Sequence, residues 1–192
     1  MTDARITRVA GAIAEASPLP GVALYELVEV GKRRLLGEVI RIDGDVATIQ
    51  VFEETSGLAL EESVRRTGSS LTTQLGPGLL GSILDGLGRP LEGLADRSGD
   101  FIAPGTALPI LDQEARWSFS PMVSEGSKVS GGDVLGVVEE RPGIIHRVLV
   151  PPDLSGRVAE IHGGEYRVSD TVATLEDGTT LSLSHEWAIR ER

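Results

Sequence analysis

Three stretches near the start of the chain alternate apolar and polar positions with the period of two expected of half-buried strands. Leu24, Glu26, Val28 and Val30 interleave with Tyr25, Leu27 and Glu29, and Gly31-Lys32 comes next as a turn. Leu35 to Ile42 is a second apolar-rich run, ending at Asp43-Gly44, a pair suited to the positive φ of a tight hairpin. Val46 to Phe52 returns, with Ala47, Ile49 and Val51 on one face and Val46, Thr48, Gln50 and Phe52 on the other. Strands this short and this close in sequence predict a small closed barrel, because an open sheet would leave two unpaired edges. A first domain is expected over residues 1–70.

The pattern then changes. From Leu75 to about Ala115, Gly76, Pro77, Gly78, Gly81, Gly86, Gly88 and Pro90 break up the apolar residues Leu79, Leu80, Ile83, Leu84 and Leu87. These glycines allow at most one short helical stretch, near Leu79–Leu87. Extended chain with turns is expected to continue through Ser98-Gly99-Asp100-Phe101 and Pro104-Gly105. Residues 71–115 thus read as a connector.

Residues 116–187 form a second β unit with a weak internal repeat. Lys128-Val129 leads through Gly132-Asp133 to Val134–Glu139, and Arg167-Val168 leads through Asp170 to Val172–Glu176. Each copy is a short strand, a tight turn with an acidic residue, and another strand. His146–Val150 and Gly156–Ile161 supply further strands around Pro151-Pro152-Asp153-Leu154-Ser155. Two interlocked copies predict a flattened β sandwich of the lipoyl or biotinyl carrier type. The fold class is therefore mainly β: barrel, Gly/Pro-rich connector, sandwich, and a tail over 188–192.

Composition narrows the function. Glycine (24) and proline (10) are abundant in the 192 residues and aromatics are only 4%, as turns and short strands require. The net charge of −11 is spread evenly: residues 1–96 carry nine basic and fourteen acidic groups, residues 97–192 nine and fifteen. Neither half offers the field that attracts a phosphate backbone, so no nucleic-acid partner is expected. No apolar run nears the roughly 20 residues that span a bilayer, and Met1 to Ala16 is too charged for a secretory signal. Without cysteine there is no disulfide, thiolate nucleophile or sulfur-ligated metal. A cytoplasmic protein without membrane insertion is expected.

The chemistry-bearing motifs are few. Gly76-x-Gly78-x-x-Gly81 has the spacing of the dinucleotide fingerprint. The preceding stretch Gly68–Gln74 is polar, however, and Gly86 and Gly88 interrupt the residues after the motif, so turn-forming glycines explain it better. A P-loop needs Gly-x-x-x-x-Gly-Lys-Ser/Thr. The chain's two lysines do not supply it: Lys32 precedes Arg33, and Lys128 follows Ser127 and precedes Val129. A lipoyl-type carrier would need a lysine between the half-repeats, where Glu139 to Pro152 has only Arg141 and Arg147. His146, His162 and His185 are dispersed, and His162-Gly-Gly-Glu165 is too glycine-rich for a ligating helix face. Glu53-Glu54, Glu61-Glu62 and Glu139-Glu140 are adjacent residues that point to opposite faces in a strand, and read as solvated charge. Arg33-Arg34 and Arg65-Arg66 are expected in salt bridges. No catalytic, cofactor-binding or metal-ligating residue is expected in this segment.

Beyond these motifs, Gly37-Glu-Val-Ile-Arg-Ile-Asp-Gly-Asp45 followed by Ala47-Thr-Ile-Gln-Val-Phe-Glu-Glu-Thr-Ser-Gly-Leu58 resembles the N-terminal barrel of the catalytic A subunit (alpha chain) of V-type and A-type rotary ATPases. Arg65-Arg-Thr-Gly68, Leu75-Gly-Pro-Gly-Leu-Leu80, Asp85-Gly86 and Arg89-Pro-Leu91 continue the resemblance, and Ser98-Gly-Asp-Phe-Ile102 is similar to the approach to that family's inserted bulge domain. Gly131-Gly-Asp-Val-Leu-Gly136, His146-Arg-Val-Leu-Val-Pro-Pro152 and Ser155-Gly156 resemble the bulge itself. The resemblance implies that residues 71–115 begin a nucleotide-binding domain that resumes about where Trp187-Ala-Ile-Arg-Glu-Arg192 lies; the family's Trp-Pro-Val has Ala188 in place of proline. It implies an N-terminal portion of an enzyme using ATP or ADP with magnesium to couple hydrolysis or synthesis to proton or sodium-ion transport. The implied partners are B subunits and neighbouring A subunits in a hexameric ring, with the bulge available for stator or regulatory contacts, peripheral to the membrane. The segment itself, lacking a P-loop, is expected to be non-catalytic. The rival expectation is a free-standing truncated paralogue serving as a β-rich binding or adaptor module.

Overall fold

The computed structural model describes residues 4–99 and 102–189. The chain forms two compact units, one of Met1–Thr73, Leu94–Ala107 and Ala188–Arg192, the other of Gln74–Gly93 and Leu108–Trp187. No helix among the described residues is long and apolar enough to cross a membrane.

The first unit is a closed barrel of six antiparallel strands: β1 (Ala4–Ala10), β2 (Ile13–Ser17), β3 (Glu26–Val30), β4 (Leu35–Asp43), β5 (Val46–Val51) and β6 (Ser63–Ser70), in the order β1-β2-β5-β4-β3-β6. The β1–β6 pairing of Ala4 with Val64 and Arg5 with Ser63 closes it. Such a barrel is narrow, so its interior is filled with small and β-branched side chains. Ala4, Ala14, Ala16, Ala47, Val28 and Ile49 are all buried, and no aromatic side chain among the described residues joins them in this core. The alternation in β3 and β5 holds as expected, with Val28, Val30, Ala47, Ile49 and Val51 inward. Strands β1, β2 and β6 carry no such expectation. The outward positions of β1 include Arg5 and Arg8, and β6 offers mostly Arg, Thr, Gly and Ser, with Val64 as its apolar inward residue.

Glu26 stands in phase with the buried valines of β3, and its residue is 1% exposed. Arg66 on β6 meets it in a fork, Nε to Oε1 at 2.8 Å and Nη2 to Oε2 at 3.0 Å. The Ala23 and Gly68 amides donate to the same carboxylate at 3.0 and 3.2 Å. Burial alone would raise the Glu26 carboxyl, but the Arg66 and backbone hydrogen bonds outweigh it and hold the group below its ordinary value. One side chain therefore joins β3 to β6, holding the turn before β3 through the Ala23 amide and the irregular stretch of β6 through the Gly68 amide.

Beyond the barrel, β7 (Thr72–Leu75) pairs with a strand from the end of the chain. The short helical stretch that the sequence allowed near Leu79–Leu87 does not form. That stretch is turns, and the helix of the segment is α1 (Leu91–Ser98), where extended chain was expected. Pro90 precedes it, Glu92 lies in its first turn, Arg97 in its last, and Gly99 comes after. These are the start and stop signals that a helix dipole and its open ends require. Upstream, Asp85 Oδ1 accepts from the Leu87 and Arg89 amides, both at 2.9 Å, which bends Leu84–Pro90 into a loop instead of a helix. The expectation at Asp100-Phe101 lies outside the described residues.

The second unit is a sandwich of two four-stranded antiparallel sheets. Its strands are β8 (Trp117–Pro121), β9 (Lys128–Ser130), β10 (Val134–Arg141), β11 (Ile144–Leu149), β12 (Ser155–Ile161), β13 (Gly164–Tyr166), β14 (Thr171–Leu175) and β15 (Thr180–Ser182); β16 (His185–Ala188) is the partner of β7. The sheets run β11-β10-β8-β13 and β15-β14-β12-β9. Each half of the sequence thus lends its second strand, β9 or β13, to the other's sheet. The crossings are matched turns: Asp133 Oδ2 accepts from the Ser130 amide and Asp170 Oδ2 from the Arg167 amide, both at 2.8 Å. The second copy departs from expectation in one respect, since Arg167-Val168 belongs to the turn and Gly164–Tyr166 is the strand. Phe119, Leu135, Val138, Val148, Val158 and Leu175 fill the space between the sheets. Gly136 lets the Phe119 ring lie directly on the β10 backbone; a Cβ there would overlap that ring and the Ser120 carbonyl.

Replacing Arg66 with methionine strands the Glu26 carboxylate. The expected loss at pH 7 is about 3 kcal/mol, the low end for a broken buried pair because the guanidinium is partly open to water. Because the folded carboxyl lies below its ordinary value near 4.5, its contribution is complete above that value and is lost as pH falls through the folded one. Urea unfolding at a series of pH values should show the gap between Arg66→Met and wild type closing in acid; a gap independent of pH would refute this account.

Candidate functional site

The Gly76–Gly81 segment, which carries the fingerprint spacing, comes directly after β7. Gly78 has a φ of +95° and packs on the Trp117 indole, so both its conformation and its space require glycine. The loop presents backbone amides inward, as an anion-binding concavity does. The anion it holds is internal. Glu140 on β10 accepts at Oε1 from the Gly78 amide at 2.8 Å and the Leu80 amide at 3.2 Å. The next residue, Arg141, donates through Nη2 to the Leu80 carbonyl at 3.0 Å. Adjacent residues of one strand thus bind both polar groups of Leu80.

Glu140 has a side chain only 2% exposed, and its Oε2 has no hydrogen-bond partner among the described residues. His146 Nδ1 stands 3.8 Å from that oxygen, a distance for electrostatic interaction and too long for a hydrogen bond. Burial pushes His146 below the ordinary histidine value of 6.5, Glu140 acts against that, and His185 adds to it. His185 is also lowered, first by burial, with Glu186 opposing. Beside these groups lies a groove of about 770 Å³, lined by Leu75, Leu79, Leu80, Met122, Val137, Ile145 and their polar neighbours His146 and Arg147. The arrangement holds a loop and offers an apolar surface; it brings no nucleophile up to an acid–base pair.

The remaining candidates lie apart from this groove. Glu139 and Glu140 do face opposite ways, but the expectation of solvated charge fails for Glu140. Glu53-Glu54 and Glu61-Glu62 lie in loops and not in strands, with Glu54 and Glu61 exposed as solvated charge would be and Glu53 and Glu62 partly buried. There Glu53 accepts from the Gly105 amide at 2.8 Å, Glu54 from the Ser56 amide at 3.0 Å, and Glu62 from the Lys32 amide at 2.9 Å. These carboxylates fasten turns. One arginine of each pair forms a salt bridge, Arg34 to Glu29 and Arg66 to Glu26, while Arg33 donates to the Ser56 carbonyl instead. No group of three or more His, Asp or Glu side chains among the described residues is placed to hold a metal ion. Sequence reasoning missed the Glu140 clamp; Glu26 did leave a signal, an acid in phase with buried valines.

Two family models match the chain, in the order of its two units. Residues 6–68 match the beta-barrel domain of the ATP synthase alpha/beta family, and residues 108–190 match the ATP synthase alpha/beta subunit barrel-sandwich domain. The chain belongs to the ATP synthase alpha/beta family. It is 51% identical over 185 residues to a V-type ATP synthase alpha chain of Anaeromyxobacter dehalogenans, covering 96% of this chain and 32% of that one. It is 48% identical over 191 residues to the A subunit of the A-type ATP synthase of Desulfurococcus, covering 97% and 33%. An A subunit of the A-type ATP synthase of Methanospirillum hungatei is 44% identical over 191 residues, covering 100% and 32%. The chain spans about a third of the length of these relatives. Within the ATP synthase alpha/beta family it corresponds to the barrel and sandwich region of the A subunits.

Glu140→Ala removes the acceptor for two loop amides and should cost about 2 kcal/mol in urea unfolding, while Glu140→Gln, which keeps one carbonyl oxygen, should cost less. By NMR titration, His146 should fall further below 6.5 in Glu140→Gln, since the negative charge that favours imidazolium is gone. A rise in that value would show that the two groups do not interact in this way.

Proposed function

We propose that this chain is the assembly portion of the catalytic A subunit of a V/A-type rotary ATPase, whose whole protein couples ATP hydrolysis or synthesis to proton or sodium-ion transport. The observation that carries the reading is the ordered match of both units, at 44–51% identity, to A subunits and alpha chains. The barrel, residues 1–70, takes its place beside B subunits in a hexameric ring of the soluble sector. Exposed Ile40, Ile42 and Val46 around the β4–β5 hairpin support this, because they give the barrel an apolar outer surface. The connector, 71–115, begins the nucleotide-binding domain, and the sandwich, 116–187, is the bulge, open to stator or regulatory partners. ATP or ADP with magnesium belongs to the remainder of the subunit, because neither Lys32 nor Lys128 stands in a phosphate-binding loop.

Two measurements test this. Titration calorimetry of the 192 residues with Mg-ATP should show no saturable binding in the micromolar range; saturable binding there refutes the non-catalytic assignment. Size-exclusion chromatography with a related B subunit should show a complex that Ile42→Glu weakens about tenfold or more, as a buried charge at an apolar contact does. Equal binding by the variant would remove the barrel surface from the ring contact.

A further inference from the structure

The sandwich has four edge strands. Three of them, β9, β13 and β15, have three residues each, which is how natural sheets keep an edge from recruiting another chain. The fourth, β11, has six and pairs among the described residues only with β10. It is also apolar where the others are not: Ile144 is 41% exposed, Ile145 54% and Leu149 37%. Ile145, Arg147 and Leu149 share one face by alternation, and Val148 on the other face is buried in the core. Ile145 and Arg147 line the apolar groove beside Glu140, together with Leu79, Leu80 and Met122. The opposite wall is fixed, because Glu140 and Arg141 bind both polar groups of Leu80. The groove therefore lies over the face of β10 and β11, between Val137 and the Leu79–Leu80 wall, and the unpaired edge of β11 borders it.

Charge selects the occupant. Arg147 is exposed, and its side chain makes no hydrogen bond or ion pair with the described residues. Neither nearby acid pairs with it: Glu140 is buried with Oε1 bound to the loop, and Glu139 Oε1 accepts from the Gly143 amide at 3.3 Å. The groove thus presents one unpaired guanidinium, that of Arg147, on a chain of net charge −11. We propose that β11 receives an extended segment of a partner protein as a fifth strand. Alternate apolar side chains of that segment fill the groove, and an acidic one meets Arg147. A second copy of this chain fits worse. The strand Ile144–Leu149 contains no acid, so no register of β11 with itself gives Arg147 a carboxylate. The proposal rests on the edge and the groove alone, and failure of the ring-assembly reading would leave it intact.

The test uses the ¹⁵N-labelled 192-residue chain and two blocked nine-residue peptides with serine at the even positions and valine at the odd ones except the fifth, which is glutamate in one and lysine in the other, so that the charge shares the valine face. The glutamate peptide should shift and protect the β11 amides from exchange, and bind about tenfold more tightly than the lysine peptide. Arg147→Glu, an exposed substitution whose spectrum should otherwise match wild type, should reverse that order. Lack of β11 protection at millimolar glutamate peptide, equal affinity for both peptides, or an unchanged order in Arg147→Glu each overturns the proposal. So does a dimer in sedimentation that Ile145→Lys dissolves, which would make a second copy the occupant.

Discussion

A chain of short strands has many turns, and every turn leaves backbone amides that no strand partner can satisfy. In this protein, carboxylates supply the acceptors. Glu26 takes the Ala23 and Gly68 amides, Asp85 those of Leu87 and Arg89, and Glu140 those of Gly78 and Leu80. Asp133 and Asp170 do the same for the turns that carry the sandwich from sheet to sheet. Asparagine, the neutral residue that often serves such turns, is absent from the sequence. Part of the acidic excess is thus structural. A carboxylate accepting an amide gains more than a neutral acceptor does, which suits loops too rich in glycine to hold themselves.

The same constraint explains the two architectures. A six-stranded barrel has room for alanine and valine and little more, so the scarcity of aromatics is a requirement of its bore. The sandwich has more room and places aromatics there, Phe119 meeting Tyr166 edge-on with ring centres 6.4 Å apart. The exchange of β9 and β13 means that neither sheet is complete within its own half of the sequence. The two turns at the crossings must therefore form reliably, and each has the aspartate that fixes its first amide.

Legibility from sequence tracks locality. Strands β3, β4 and β5 are readable because their inward and outward residues differ in polarity, and the repeat in the sandwich because its turns share an aspartate. Strands β1 and β6 are not, since charged and small polar residues dominate their exposed positions and the closure of a barrel lies outside any local window. The helix is misplaced in a sequence reading because apolar residues at Leu79–Leu87 outweigh better signals a few positions later: Pro90, Glu92, Arg97 and Gly99. The Glu140 clamp joins residues 62 positions apart, and no local pattern encodes such a pair. Glu26 differs, because an acid placed where the alternation demands an apolar side chain announces a buried partner.

The glycine fingerprint shows how far a motif carries. In a dinucleotide fold, glycines permit close approach of an anion to backbone amides, and a helix after them adds its dipole. Here the glycines and the inward amides are present, yet the next segment bends on Asp85 and the anion is Glu140 of the same unit. The physical use of the glycines is therefore the same as in a phosphate loop, while the ligand is a side chain 60 or so residues away. Spacing specified the cradle; the identity of the anion depended on which strand the fold placed beside it.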